Sequence, residues 1–127
     1  MRVMLDTNAY SAFKRGDEAI VELVASADTV LIPAIVLGEL RAGFRTGSKE
    51  ETNLLELEAF LSSPRVQVAS VGEETAIRYA EVFGSLKAAG KPIPANDLWI
   101  AASVLETGAV LLSRDAHFDY VPGILRK

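Results

Sequence analysis

The chain contains no cysteine, which excludes disulfides and thiolate metal sites and suits a reducing cytoplasm. It contains one histidine, His117, so a single subunit offers neither paired-histidine acid–base catalysis nor a zinc site built on several imidazoles. Positive charge is in deficit: 13 Lys and Arg stand against 17 Asp and Glu, a net charge of −4. That balance counts against extensive, non-specific duplex binding, but not against a nuclease whose metal neutralises acids locally. Long apolar runs are absent too. The longest uncharged one, Thr29 to Gly38, is about half of a membrane span and ends at Glu39. The apolar stretch between Arg2 and Asp6 is too short for a signal-peptide core. A soluble, unexported, cytoplasmic protein with no membrane partner is expected. The G-x-x-x-x-G-K-[ST] loop of NTPases and the G-x-S-x-G elbow of serine hydrolases are both missing.

What is present is a pattern of short apolar strands alternating with helices across 127 residues, half of them hydrophobic. Residues 1–5 read as a buried strand, Asn8 to Lys14 as a brief helical turn, and Asp17 as the cap of a helix to about Ala27. Thr29 to Ile32 is a second buried strand, with Pro33 opening a helix that Gly47 stops. Ser48 and Glu51 form a capping-box pattern ahead of a helix with Leu54, Leu57 and Leu61 on one stripe. Arg65 to Ala69 alternates like a third strand. A helix from Glu73 to Ala89 places Ala76, Tyr79, Ala80, Phe83 and Leu86 at core spacing. Asn96 is read as the cap of a helix through Glu106, before a fourth strand in AVLLS; VPGIL reads as a short edge strand. Strands separated by helices imply parallel pairing through right-handed crossovers. The expected fold is α/β: one domain, 1–127, built as a three-layer α/β/α sandwich around a short, mostly parallel sheet.

Four acids stand out from this pattern: Asp6 in MLDTN, Glu39 in LGEL, Asp97 in PANDLWIAA and Asp115 in LLSRDAHF. In open parallel sheets ligands bind beyond the carboxyl ends of the strands. Asp6 and Asp115 lie just past the first and fourth strands, and Asp97 lies at a helix start. Glu39 lies in the helix after the second strand. If strands one, two and four are neighbours, all four carboxylates converge. Two such charges about 4 Å apart repel by roughly 4 kcal/mol at an effective dielectric of 20, so a cluster calls for a cation among oxygen ligands. Singly, each acid has a plainer reading: an Asx-turn or cap for Asp6, helix-dipole complements for Asp97 and Asp115, a solvated helix residue for Glu39.

The four motifs, in this order and spacing, resemble the PIN-domain ribonucleases, and among them the small toxins of VapBC toxin–antitoxin pairs. The resemblance runs through the closing F-D-Y-V-P-G-I. It implies a metal-dependent endoribonuclease that hydrolyses RNA phosphodiesters and arrests growth. Asp6, Glu39, Asp97 and Asp115 would hold Mg²⁺ or Mn²⁺, with Asp119 as a candidate accessory acid. Because water rather than the ribose 2′-OH attacks, the expected ends are 5′-phosphate and 3′-hydroxyl. The resemblance further implies a homodimer and a small, DNA-binding, VapB-like antitoxin. Thr7, Asn8 and Ser113 are placed to orient carboxylates or water, with turn or capping use as their other reading. Arg41, Arg45 and Arg114 are the first candidates for RNA contact, against a solvated helix face. His117 is read as a packing or surface residue, and Trp99 as core or interface. A PIN nuclease without an antitoxin, a catalytically silent RNA-binding module and an aspartyl phosphatase are the competing readings. The last usually carries D-x-D, whereas here Asn8 follows Thr7.

Overall fold

The computed structural model describes residues 1–127. Strand β1 (Arg2–Leu5) leads to α1 (Thr7–Lys14) and α2 (Glu18–Ser26). Strand β2 (Thr29–Pro33) is followed by α3 (Ala34–Thr46) and α4 (Glu50–Leu61). After β3 (Val66–Ala69) come α5 (Glu73–Ala89), α6 (Ala95–Thr107), β4 (Val110–Leu112) and a 3₁₀ turn (Ala116–Tyr120). The strands form one sheet in the order β3-β2-β1-β4, every pairing parallel. Parallel neighbours need crossovers, and each crossover here is a pair of helices. Right-handed connections carry the chain outward from β1 to β3 over one face and bring it back to β4 over the other. Accordingly α1 packs on α2 and α3, and α3 on α4, while α5 packs most extensively on α6.

Covered on both faces, the central strands are apolar without alternation: Val3, Met4, Leu5, Val30, Ile32, Leu111 and Leu112 are wholly buried. Beside β4, the terminal segment lies along the sheet edge. The Leu111 amide donates to the Leu125 carbonyl and the Lys127 amide to the Leu111 carbonyl, both at 2.9 Å. This edge pairing falls at 125–127 and shares only Leu125 with the expected VPGIL, because Pro122 has no amide to donate and Gly123 adopts a left-handed turn with φ +84°.

Other local expectations are corrected. Pro33 ends β2 and caps α3 from outside rather than opening it. The cap of α4 falls on Lys49 without a side-chain hydrogen bond, so Ser48 and Glu51 are out of register for a capping box. On α4 only Leu57 is fully buried. Of the residues expected on the core face of α5, Leu86 is buried and Tyr79 packs partly buried against the core, but Thr75 and Val82 complete the buried seam, while Phe83 is half exposed and Ala76 and Ala80 face outward. Both seams have helical spacing. Thr75 selects the real one, because its hydroxyl donates to Glu106 on α6 at 2.6 Å and accepts from the Gly72 amide. Leu98, Ala101 and Ala102 are buried on α6 as expected, and Trp99 packs on Tyr79 with ring centroids 4.2 Å apart.

Candidate active site

The register of the sheet builds the first half of the site. Leu5 pairs with Leu112, so the next residues, Asp6 and Ser113, emerge side by side where the two strands end. The Ser113 hydroxyl donates to Asp6 Oδ2 at 2.5 Å. Asp6 Oδ1 accepts from the Ala9 amide at 2.8 Å and so caps α1. Asp6 is therefore both a helix cap, its plainer reading, and a member of the cluster. It is only 5% exposed.

Glu39 reaches the same edge from α3. Its Oε1 accepts from the Thr7 hydroxyl at 2.6 Å, and its Oε2 from the Asn96 side-chain amide at 3.3 Å. Asn96 is thus a residue of the second turn position of α6 that holds Glu39, not the helix cap; Pro94 occupies that place. Asp97 follows on the same first turn. Asp115 caps the 3₁₀ turn by accepting from the His117 amide at 2.9 Å, and its own amide donates to Ser113 Oγ at 3.0 Å.

His117 closes the arrangement, contrary to its expected packing or surface role. Its Nδ1 lies 3.0 Å from Asp97 Oδ2 and 3.2 Å from Asp115 Oδ1. The 3₁₀ turn puts the side chain two residues past Asp115 back over that carboxylate, which a reading of spacing alone does not reveal. A closed circuit results: Glu39 to Thr7, its neighbour Asp6 to Ser113, Asp115 to His117, Asp97 and its neighbour Asn96 back to Glu39. All four expected acids belong to it.

Electrostatics follows from this geometry. Burial pushes the Asp6 carboxyl above its ordinary value, opposed by the Ser113 and Ala9 hydrogen bonds and reinforced by the charges of Asp115 and Asp97. Burial also raises Asp97, opposed by the His117 hydrogen bond and charge and reinforced by Asp115 and Glu39. Carboxylates held in the charged form against burial and mutual repulsion gain from a positive charge placed among them. An oxygen-rich donor set of this kind fits a hard divalent cation. Asp97, Asp115 and His117 each offer a donor atom within 4.8 Å of the others.

The remaining candidates divide. Thr7 and Ser113 orient carboxylates directly. Asn8 lines a cavity of about 110 Å³ beside the acids, together with Arg15, Ser113 and Arg114. Arg114 donates to Asp17 Oδ2 at 2.7 Å, which holds the exposed Asp17 carboxyl below its usual range. Asp119 is turned to Arg126, which donates to its Oδ1 at 2.9 and 2.6 Å, and it joins none of the circuit's bonds. Arg41 and Arg45 are exposed and form no ion pair. At about 100° per residue, helix α3 turns both roughly 200–240° away from Glu39. No helix is long and apolar enough to cross a membrane.

The sequence pattern of the PIN domain family matches residues 3–124. Ribonuclease VapC2 of Rickettsia felis is 32% identical over 130 residues, covering 98% of this chain and 96% of its own. Ribonuclease VapC1 of Haemophilus influenzae is 32% identical over 119 residues, covering 91% and 87%. Among solved structures, VapBC2 from Rickettsia felis bound to a DNA fragment from its promoter superposes with a TM-score of 0.87 at 30% identity, covering 100% of this chain and 98% of that one. DNA-bound VapBC from Salmonella typhimurium also gives 0.87, at 28% identity, covering 100% and 97%.

Proposed function

The chain belongs to the PIN-domain family, and from that premise we propose that it is the ribonuclease toxin of a VapBC-type pair, with Asp6, Glu39, Asp97 and Asp115 holding a divalent cation, Mg²⁺ or Mn²⁺. The observation that supports the catalytic reading is the circuit of hydrogen bonds and chain neighbours that links these four acids, with donor atoms of Asp97, Asp115 and His117 within 4.8 Å of one another. A bound cation supplies there the positive charge that activates water at neutral pH and stabilises the leaving oxygen.

The protein's own residues do the positioning. The Ser113 hydroxyl and the Ala9 amide fix both oxygens of Asp6, and Thr7 and Asn96 fix both oxygens of Glu39. Locked rotamers of this sort keep a reacting phosphate within a near-attack geometry. Asp115 and His117 remain partly open, with side chains 33% and 45% exposed, so RNA enters from their side. Water oxygen bonds to phosphorus while the bond from phosphorus to the 3′ oxygen breaks and that oxygen takes a proton. The products carry 5′-phosphate and 3′-hydroxyl ends.

The relatives' complexes with VapB support a small DNA-binding antitoxin as the cognate partner. A basic side chain from such a partner would satisfy the acids much as a cation does. The reading is tested by cleavage of a defined RNA panel with Mg²⁺, Mn²⁺ or chelator, with both ends mapped. Asp6→Asn should lower cleavage by more than about 100-fold, beyond the roughly 10–100-fold cost of losing a ligand's supporting group. Wild-type cleavage by that variant, or cleavage undiminished in chelator, would refute the assignment.

A further inference from the structure

Resting on the reading of the acidic circuit as a cation site, we propose that the ligand set is not all oxygen: His117 Nδ1 is a direct ligand, shared with Asp97 and Asp115, and it biases the site toward Mn²⁺ over Mg²⁺. Two independent features of the geometry point there.

The first is which donor atoms are already engaged. Both oxygens of Asp6 accept hydrogen bonds from the protein, and so do both oxygens of Glu39. On the opposite side, Asp97 Oδ1 and Asp115 Oδ2 have no protein partner, while Asp97 Oδ2 and Asp115 Oδ1 face the His117 ring. Each oxygen of Asp6 and Glu39 keeps a free lone pair, but the half of the circuit formed by Asp97, Asp115 and His117 has the most open ligand capacity.

The second is spacing. A cation in octahedral coordination, with bonds of about 2.1 Å, sets adjacent ligand atoms about 3.0 Å apart. Nδ1 stands 3.0 Å from one carboxylate oxygen and 3.2 Å from the other. The backbone that carries the ring is fixed too, because the His117 amide donates to the same Asp115 oxygen. A cation binding there would replace the proton that Nδ1 shares with the carboxylates, the ring keeping its Nε2 proton, so that the Nδ1 lone pair serves as ligand in place of that hydrogen bond. Carboxylate and water suit both ions, but Mn²⁺, at the start of the transition-metal affinity order for N and O sites, also accepts an imidazole nitrogen, whereas Mg²⁺ keeps to oxygen ligands and water. An N,O-mixed site therefore favours Mn²⁺ beyond what carboxylates alone would do.

The chain has a single histidine, which makes the test unambiguous. Untagged protein is labelled with ¹⁵N-histidine, loaded with Mn²⁺ and studied by pulsed electron paramagnetic resonance. A ¹⁵N hyperfine coupling of direct-ligand strength is expected, assignable only to His117. In His117→Gln, shown to be folded by circular dichroism, the coupling should vanish. Competition binding should then show the preference for Mn²⁺ over Mg²⁺ falling by about tenfold, the lower bound for loss of a group supporting a metal. If Mn²⁺ binds, and Asp97→Asn weakens it, but no ¹⁵N coupling is seen, then His117 only hydrogen-bonds the acids. The inference then fails while the cation site stands. If wild-type protein binds neither ion, both the inference and the reading beneath it fail.

Discussion

Ser113 shows how much one hydroxyl can organise. It donates to Asp6 Oδ2, accepts from the Asp115 amide, and is 1% exposed. Ser113→Ala leaves a buried carboxylate oxygen without its donor, at a cost of about 1–3 kcal/mol in folding stability. Cleavage should fall about 10–100-fold, as for other groups that orient a metal ligand. Urea denaturation and initial cleavage rates read the two effects separately. If the rate loss only tracked the unfolded fraction, a positioning role would be wrong. At this scale the sequence was legible for acids at strand ends, where Asp6 directly follows an uncharged apolar run and Asp115 comes three residues after Leu112 ends another. His117 and Asn96 were not legible. Their roles depend on a 3₁₀ turn and on how α6 is aimed at α3, and neither leaves a mark in local spacing.

Among the elements, α4 separates spacing from burial. Leu55 and Leu57 are two residues apart, yet Leu55 is 61% exposed and Leu57 wholly buried. Leu57→Ala should cost about 2–5 kcal/mol through the cavity it leaves. Leu55→Ala should stay within about 0.5 kcal/mol of wild type. Equal losses in urea melts would mean that α4 is rotated from the position described. The strands were readable because burial on both faces demands uninterrupted apolar residues, as in Val3 to Leu5 and Val30 to Ile32. Helix faces were harder. On α5 two seams share the same period, and the choice of Thr75, Val82 and Leu86 is made by a hydrogen bond to Glu106, a residue more than thirty positions away in sequence.

Across the whole molecule, the acidic circuit sets how stability responds to pH. Asp6 and Asp97 bind protons more tightly when folded than when unfolded, first because they are buried. Between the ordinary value of 3.8 and their raised values the native state holds more protons, so metal-free stability falls as pH rises through that window. Asp17 and Asp28 act oppositely, being lowered by Arg114 and by the N-terminus, and lose their contribution as pH falls. Asp28 is exposed to screening solvent and Asp17 partly so, whereas Asp6 is buried and Asp97 largely so, and the raised pair should dominate. Chelated protein should therefore melt higher at the low end of that window, near pH 3.8, than at neutral pH. A divalent cation at about 100 times its Kd should restore roughly 2.7 kcal/mol at neutral pH. Asp6→Asn, which retains a good helix cap, should flatten the pH response and reduce the cation's effect. Thermal melts across pH, with and without cation, check all three, and a metal-free protein that gains stability with rising pH would overturn the assignment.

The strip of chain zipped onto β4 carries one more implication. Lys127 accepts from the Ser113 amide through its carbonyl, and Arg126 grips the Ser113 carbonyl at 2.8 Å. The serine that steadies Asp6 is thus clamped from outside by a segment whose Leu125 is 71% exposed. Trimming Leu125 to Lys127 would free that clamp and also leave the amide and carbonyl of the buried Leu111 unpaired, so slower cleavage should come together with lower stability. Along this edge, the bonds that finish the sheet and those that steady the catalytic carboxylate are the same few contacts.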